Sequence, residues 1–269
     1  MMNDYLILSN GIKMPIVGFG TWQLKAGEET VLAVQAAIKA GYRHIDTAMI
    51  YGNEISVGQA IRESGIKRQE IFLTTKLWND DQGYESTLKA FEKSLERLQM
   101  SYVDLYLIHW PSVHQFPDYI QKNRDTWRAM EELYSAGKIK AIGVSNFMPE
   151  HFEALLETAK IVPMVNQILV NPGNQNREAV DYCQKKKVIV QAYTPLMKGE
   201  IFKMPLLQEL SLQYQKSIPQ IVLRWLLQKG IVSLTKSATL ERIQANIDIF
   251  NFVLEDDDIK RIDGLDQSK

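Results

Sequence analysis

Short apolar runs alternate with longer segments of helical spacing along almost the whole chain, and this alternation limits the fold more than any other feature. Ile16-Val17-Gly18-Phe19-Gly20 reads as a buried strand whose glycines allow close backbone approach. It is followed by Glu28 to Ala40, where Val31, Val34, Ala37 and Ile38 recur at helical spacing before Gly41. The pairing then returns as strand 43–46 with helix 54–63, strand 71–75 with helix 84–98, and strand 105–109 with helix 124–136. The second half repeats it with strands at 139–144, 164–169, 188–192 and 231–234, and helices at 149–159, 178–186, 206–227 and 240–250. The longest of these is expected to break near Pro219. Glu255-Asp256-Asp257-Asp258 opens a last helix and reads as amino-terminal helix charge rather than as a metal site. Before the first unit, Tyr5–Leu8 and Lys13–Ile16 flank Ser9-Asn10-Gly11, a hairpin signal.

Continuous apolar strands between amphipathic helices predict parallel strands covered by helices. Eight such units in roughly 250 residues match a closed (β/α)8 TIM barrel, with the hairpin ahead of it. A doubly wound sheet is the alternative, but Gly18-Phe19-Gly20-Thr21-Trp22-Gln23 lacks the third glycine of its phosphate fingerprint. No shift of composition and no linker interrupts the pattern, so residues 1–269 are expected to form one domain.

Composition excludes several classes of function. The 45% hydrophobic and 23% charged residues are ordinary for a globular chain, and a net charge of -1 gives no footprint for nucleic acid or an anionic membrane. Cys183 is the sole cysteine, which rules out an intrachain disulfide and a thiolate metal cluster and suggests a reducing compartment. The first fifteen residues lack a basic segment followed by an apolar run, and no apolar stretch approaches a membrane span. A cytoplasmic location is the expectation.

In a barrel of this kind, chemistry lies at the carboxyl ends of the strands. Arg43 to Glu54, RHIDTAMIYGNE, ends its strand in Asp46 and places Tyr51 in the loop that follows. The next two strands end in Thr74-Thr75-Lys76-Leu77-Trp78 and in Ile108-His109-Trp110-Pro111. Asp46, Lys76 and His109 at three adjacent strand ends are expected to converge on Tyr51. A lysine beside a tyrosine favours phenolate and lowers the phenol pKa, Asp46 would hold the lysine, and His109 would orient a carbonyl. No nucleophilic Ser or Cys has a partnered base, so the complement to this proton donor is hydride from a cofactor. Thr235-Lys236-Ser237 follows the eighth barrel strand and leads into a helix with Arg242 and Asn246, the usual place for a phosphate in this fold. Tyr193 offers a stacking face for a nicotinamide, and Ser145, Asn146 and Gln167 offer hydrogen bonds to its carboxamide.

The segments GFGTWQL, GYRHIDTAMIYGNE, LTTKLW, DLYLIHWP, IKAIGVSNF, VNQI, QAYTPL and TKSATLERIQAN together resemble the aldo-keto reductases, from end to end and in that family's order. The resemblance implies a barrel with a hairpin cap, NADPH as cofactor, a monomer, and a tetrad of Asp46, Tyr51, Lys76 and His109 with Tyr51 as proton donor. It implies cofactor contacts from Gly20, Thr21, Trp22, Asp46, Ser145, Asn146, Gln167, Tyr193, Thr194 and Leu196. It further implies that Lys236, Ser237, Thr239 and Arg242 take the adenosine 2′-phosphate and Asn246 the adenine. Thr235 departs from the proline common there, which would loosen the phosphate loop. Modest loops make the chain most similar to small bacterial members that reduce diketogluconate or methylglyoxal. The substrate pocket would be open and lined by Trp22, Ile50, Trp78, His109 and Trp110, suited to small aldehydes, ketones and dicarbonyls. A nucleotide-binding regulatory subunit is the rival, against which the intact tetrad speaks. An isomerase or lyase would leave Lys236, Arg242 and Tyr193 without a joint purpose.

Overall fold

A computed structural model describes residues 4–112, 115 and 117–267. The first three residues of the segment read for a leader lie outside them. Strands β1 (Tyr5–Ile7) and β2 (Lys13–Pro15) pair antiparallel, with Tyr5 opposite Pro15 and Ile7 opposite Lys13. Leu8 N donates to Ile12 O at 2.8 Å, so Ser9-Asn10-Gly11 forms the loop, and Gly11 takes the left-handed φ of 85° that closes it. Asn10 Oδ1 accepts from Ile12 N at 3.2 Å, which is why an Asn-Gly pair suits this turn.

Eight parallel strands follow: β3 (Val17–Gly20), β4 (His44–Asp46), β5 (Phe72–Leu77), β6 (Val103–Ile108), β7 (Ile139–Ser145), β8 (Val165–Leu169), β9 (Ile189–Tyr193) and β10 (Val232–Thr235). They form a closed barrel in sequence order, and β10 returns to β3 with Ser233 opposite Val17 and Thr235 opposite Phe19. The doubly wound alternative is thereby excluded. Outside lie α1 (Glu28–Lys39), α2 (Glu54–Glu63), α3 (Tyr84–Leu98), α4 (Tyr119–Ser135), α5 (Pro149–Leu156), α6 (Arg177–Lys185), α7 (Pro205–Tyr214), α8 (Ile218–Gln228), α9 (Leu240–Ile247) and α10 (Asp256–Asp263). The strands are covered on their outer face by helix side chains such as Val34, Ala37 and Ile61, which explains why a strand such as β5 is buried on both faces rather than alternately.

Several boundaries differ from expectation, and three of the differences bear on how the elements are built. The helix expected from Arg124 begins at Tyr119; its first turn buries no apolar side chain, Ile120 being exposed, so that turn adds nothing to the core-facing spacing. The long helix 206–227 is two helices: Gln215 ends α7 with a left-handed φ of 52°, and Ser217 caps α8 in a reciprocal box with Gln220. Pro219 therefore lies in the first turn of α8, where its missing N–H costs nothing, and the break precedes it. Strand β5 runs on to Leu77, so Lys76 lies inside the strand rather than after it. Of the two glycines of β3, only Gly18 is sterically required, since a Cβ there would lie 2.5 Å from Leu234 and 2.9 Å from His44; at Gly20 the nearest atom is an ordinary 3.7 Å away.

Candidate active site

Strand alternation decides which side chains enter the barrel. His44 and Asp46 on β4 point inward, as do Thr74 and Lys76 on β5, while Thr75 turns outward to Glu54 at 2.6 Å. Lys76 is fully buried and its ammonium has three acceptors: Asp46 Oδ1 at 2.7 Å, the Thr47 carbonyl at 2.9 Å and the Tyr51 phenol oxygen at 3.3 Å. Tyr51 ends a single 3-10 turn, Met49–Tyr51, closed by Gly52 with φ of 71°. His109, the first residue past β6, lies edge-on to the Tyr51 ring with centroids 5.8 Å apart, and edge-on to Trp78 at 5.2 Å. All four expected residues are thus brought together.

Burial pushes Lys76 toward neutrality, but the Asp46 carboxylate and the Tyr51 oxygen outweigh it, and Lys76 is held above its ordinary pKa. For Tyr51 the net direction is the reverse of expectation. Burial raises the phenol, Lys76 only partly offsets that, Asp46 adds to it, and the pKa lies above its ordinary value. Burial, assisted by Lys76, lowers His109 to about 2, so its imidazole is neutral. Among the described residues its buried Nδ1 has no hydrogen-bond partner. A proton on that atom would be stranded, so the neutral ring carries its proton on Nε2 and is a donor there.

The residues expected at the nicotinamide lie together at the ends of β7 to β9, already bonded to one another. Ser145 Oγ donates to the Gln167 carbonyl at 2.7 Å. Asn146, left-handed at φ 62°, donates to the His109 carbonyl and to Ser145 Oγ, and accepts from the Tyr193 hydroxyl at 2.8 Å. Gln167 Nε2 donates to Asp46 Oδ2 at 2.8 Å. Strands β4 and β8 are opposite in the barrel order, so this bond crosses its interior. Thr194 continues from β9 with an unusual φ of 51°, and Leu196 starts the irregular turn that follows.

After β10, the neighbour of β9, Lys236 and Arg242 are exposed and have neither an ion-pair nor a hydrogen-bond partner among the described residues. Ser237 Oγ accepts from Thr239 N at 3.0 Å, and Thr239 is the cap of α9, with Asn246 buried along that helix. Two cations without partners at a helix amino terminus fit an anionic phosphate. Thr235, in the place of that proline, is buried at the end of β10. Tyr42, pushed up to about 12 by burial against a hydrogen bond from Thr235, donates its hydroxyl to the Ile243 carbonyl in α9 at 3.2 Å. At the rim, Trp22, Ile50 and Trp110 each keep more than two-fifths of their surface exposed.

The family model for the aldo/keto reductases matches residues 16–267. This chain belongs to the aldo/keto reductase family. It is an NADPH-dependent oxidoreductase. It is 48% identical over 268 residues to the glyoxal reductase of Bacillus subtilis, covering 100% of this chain and 95% of that protein. It is 39% identical over 272 residues to the methylglyoxal reductase DkgA of Escherichia coli K12, covering 100% of this chain and 96% of that one. The crystal structure of a Bombyx mori aldo-keto reductase in complex with NADP superimposes with a TM-score of 0.90 at 36% identity, covering 99% of this chain and 94% of that one.

Two side chains of this aldo/keto reductase that hold the site were not singled out by sequence. Asn53, fully buried, donates to the carbonyls of Thr21 (2.9 Å) and Leu24 (3.2 Å) and accepts from Thr47 Oγ1 at 2.8 Å, tying the turn after Tyr51 to the first loop. Glu54, also buried, accepts from Arg97 at 2.6 Å as well as from Thr75, fixing the start of α2 against β5 and α3. Both stand in the YGNE stretch beside Tyr51. Their signal in the sequence is two polar residues at a turn next to a reactive group.

Proposed function

We propose that this reductase converts small aldehydes and dicarbonyls of the glyoxal type to alcohols, with Tyr51 donating the proton. The observation that carries the reading is the direction of the Lys76–Tyr51 hydrogen bond. Lys76 donates to the phenol oxygen, so the phenol hydrogen is left for a substrate oxygen. When bound, NADPH supplies a hydride to the carbonyl carbon. The carbonyl oxygen gains negative charge as that bond forms, and the Tyr51 proton passes to it. The phenolate left behind is 3.3 Å from an ammonium that Asp46 and Thr47 hold in place, and it takes a proton back from solvent. A neutral His109 donating from Nε2 orients the carbonyl without competing as an acid.

Lys236 and Arg242, with Ser237 and Thr239, would hold the 2′-phosphate of the cofactor, and Asn246 the adenine. Ser145, Asn146 and Gln167 would take the carboxamide beneath Tyr193. Support for dicarbonyls comes from the open rim of Trp22, Ile50 and Trp110, and from the two bacterial relatives named for glyoxal and methylglyoxal. The test follows NADPH absorbance with methylglyoxal and phenylglyoxal. Consumption that depends on substrate and falls by about a hundredfold or more in Tyr51→Phe, with cofactor binding retained, is the expected result. A Tyr51→Phe enzyme with full turnover would remove Tyr51 from the role.

A further inference from the structure

Gln191 has no part in the reading above, yet it lies at the centre of the barrel. It is fully buried on β9, directly opposite Gln167 of β8 in register. Gln167 Nε2 donates one hydrogen to Asp46 Oδ2 at 2.8 Å and the other to Gln191 Oε1 at 2.9 Å. Gln191 Nε2 in turn faces the sulfur of Met14, on the hairpin, at 3.1 Å.

The orientation of each amide follows from the group before it. Asp46 is paired with the Lys76 ammonium, and a carboxylate only accepts, so Gln167 must turn its NH2 toward it. The second hydrogen of that NH2 is buried and needs an acceptor, so Gln191 must present its oxygen. Gln191 is then left with its NH2 toward a thioether, which has no hydrogen to give and is a weak acceptor. With both Gln167 hydrogens engaged, the group of Gln167 available to a bound nicotinamide is its carbonyl Oε1, an acceptor for the carboxamide N–H.

We propose that Gln191 is a positioning residue for the cofactor: by accepting from Gln167 it locks that amide with its oxygen free for the nicotinamide carboxamide. The inference rests on the reading that Gln167 meets the carboxamide of NADPH. Without an acceptor at 191, a buried Gln167 hydrogen has no partner, and the amide gains by rotating away from the geometry that binds the carboxamide.

The test compares NADP⁺ with its 3-acetylpyridine analogue, whose acetyl group keeps the carbonyl but lacks the N–H. Dissociation constants are measured by fluorescence titration for the unaltered protein, Gln191→Met and Gln191→Glu. The unaltered protein should prefer NADP⁺. Gln191→Met should weaken NADP⁺ by about fivefold, the effect of one neutral hydrogen bond, and leave the analogue unchanged. Gln191→Glu keeps an acceptor and should keep the preference. Equal losses for both nucleotides in Gln191→Met, or no loss, would overturn the proposal. Should Gln191→Met fail to fold, equal affinity of the unaltered protein for the two nucleotides overturns it alone. An unaltered protein that binds neither nucleotide would instead refute the placement of the cofactor on which the proposal stands.

Discussion

At the scale of the residue, the site works through groups that burial holds in one charge state. Tyr51 stays protonated because burial and Asp46 together outweigh Lys76. In the proposed mechanism the lysine matters at the moment the phenol gives up its proton, when a nearby ammonium would stabilise the new anion. Replacing Lys76 with Met should therefore lower kcat for methylglyoxal by about a hundredfold or more, with a much smaller change in the Kd for NADPH. His109, lowered to about 2, does not change charge near neutrality. Turnover should accordingly show no acid limb near pH 6.5, which a pH–rate profile of the unaltered enzyme against His109→Gln can check. For Lys236 and Arg242, removal of both charges by alanine should reduce the preference for NADPH over NADH by about tenfold or more, measured as the ratio of kcat/KM values.

At the scale of the element, close approach sets what the sequence can vary. A Cβ on Gly58 in α2 would lie 2.0 Å from the carbonyl oxygen of Leu98, the last residue of α3. Backbone oxygen cannot move aside as a flexible side chain can, so Gly58→Ala should destabilise the fold by about 3 kcal/mol, seen as a lowered Tm. Much of the element order was legible because helices such as Glu54–Glu63 and Tyr84–Leu98 carry apolar spacing and clear ends. The α7–α8 break was legible in place but not in cause: proline was the visible residue, whereas left-handed Gln215 and the Ser217–Gln220 cap do the work. Asp46, Lys76 and His109 could be read as polar residues ending apolar strands. The Gln167–Gln191 pair could not, since it depends on two side chains meeting across a strand register and on the charge of a residue on the opposite wall.

At the scale of the whole molecule, the interior of the barrel couples stability to pH through His44. Its Nδ1 donates to the Pro15 carbonyl at 3.3 Å, because a carbonyl only accepts, and its Nε2 accepts from Thr74 Oγ1 at 3.2 Å. Burial lowers its pKa to about 4, against an opposing pull from Asp46. The fold therefore keeps His44 neutral while the unfolded chain takes a proton below about pH 6.5. Stability from this source is fully present above pH 6.5 and is lost as pH falls toward 4, by on the order of 3 kcal/mol. Urea midpoints at pH 7 and pH 4.5 should differ in that direction, and the difference should shrink in His44→Asn.

The pairing of β10 with β3 has a further consequence, for the lifetime of the protein rather than for its chemistry. The barrel is a ring whose first and last staves meet at one seam, and the proposed nucleotide contacts stand on both sides of it: Gly20, Thr21 and Trp22 on one, Lys236 and Ser237 on the other. With those contacts, a growing chain would have no complete binding site until its eighth stave arrives, and any parting of the seam would cost the bound nucleotide. Bound NADPH then acts as a latch whose strength rises with the logarithm of its concentration. At low NADPH the fold would then be less stable as well as short of the reductant it uses.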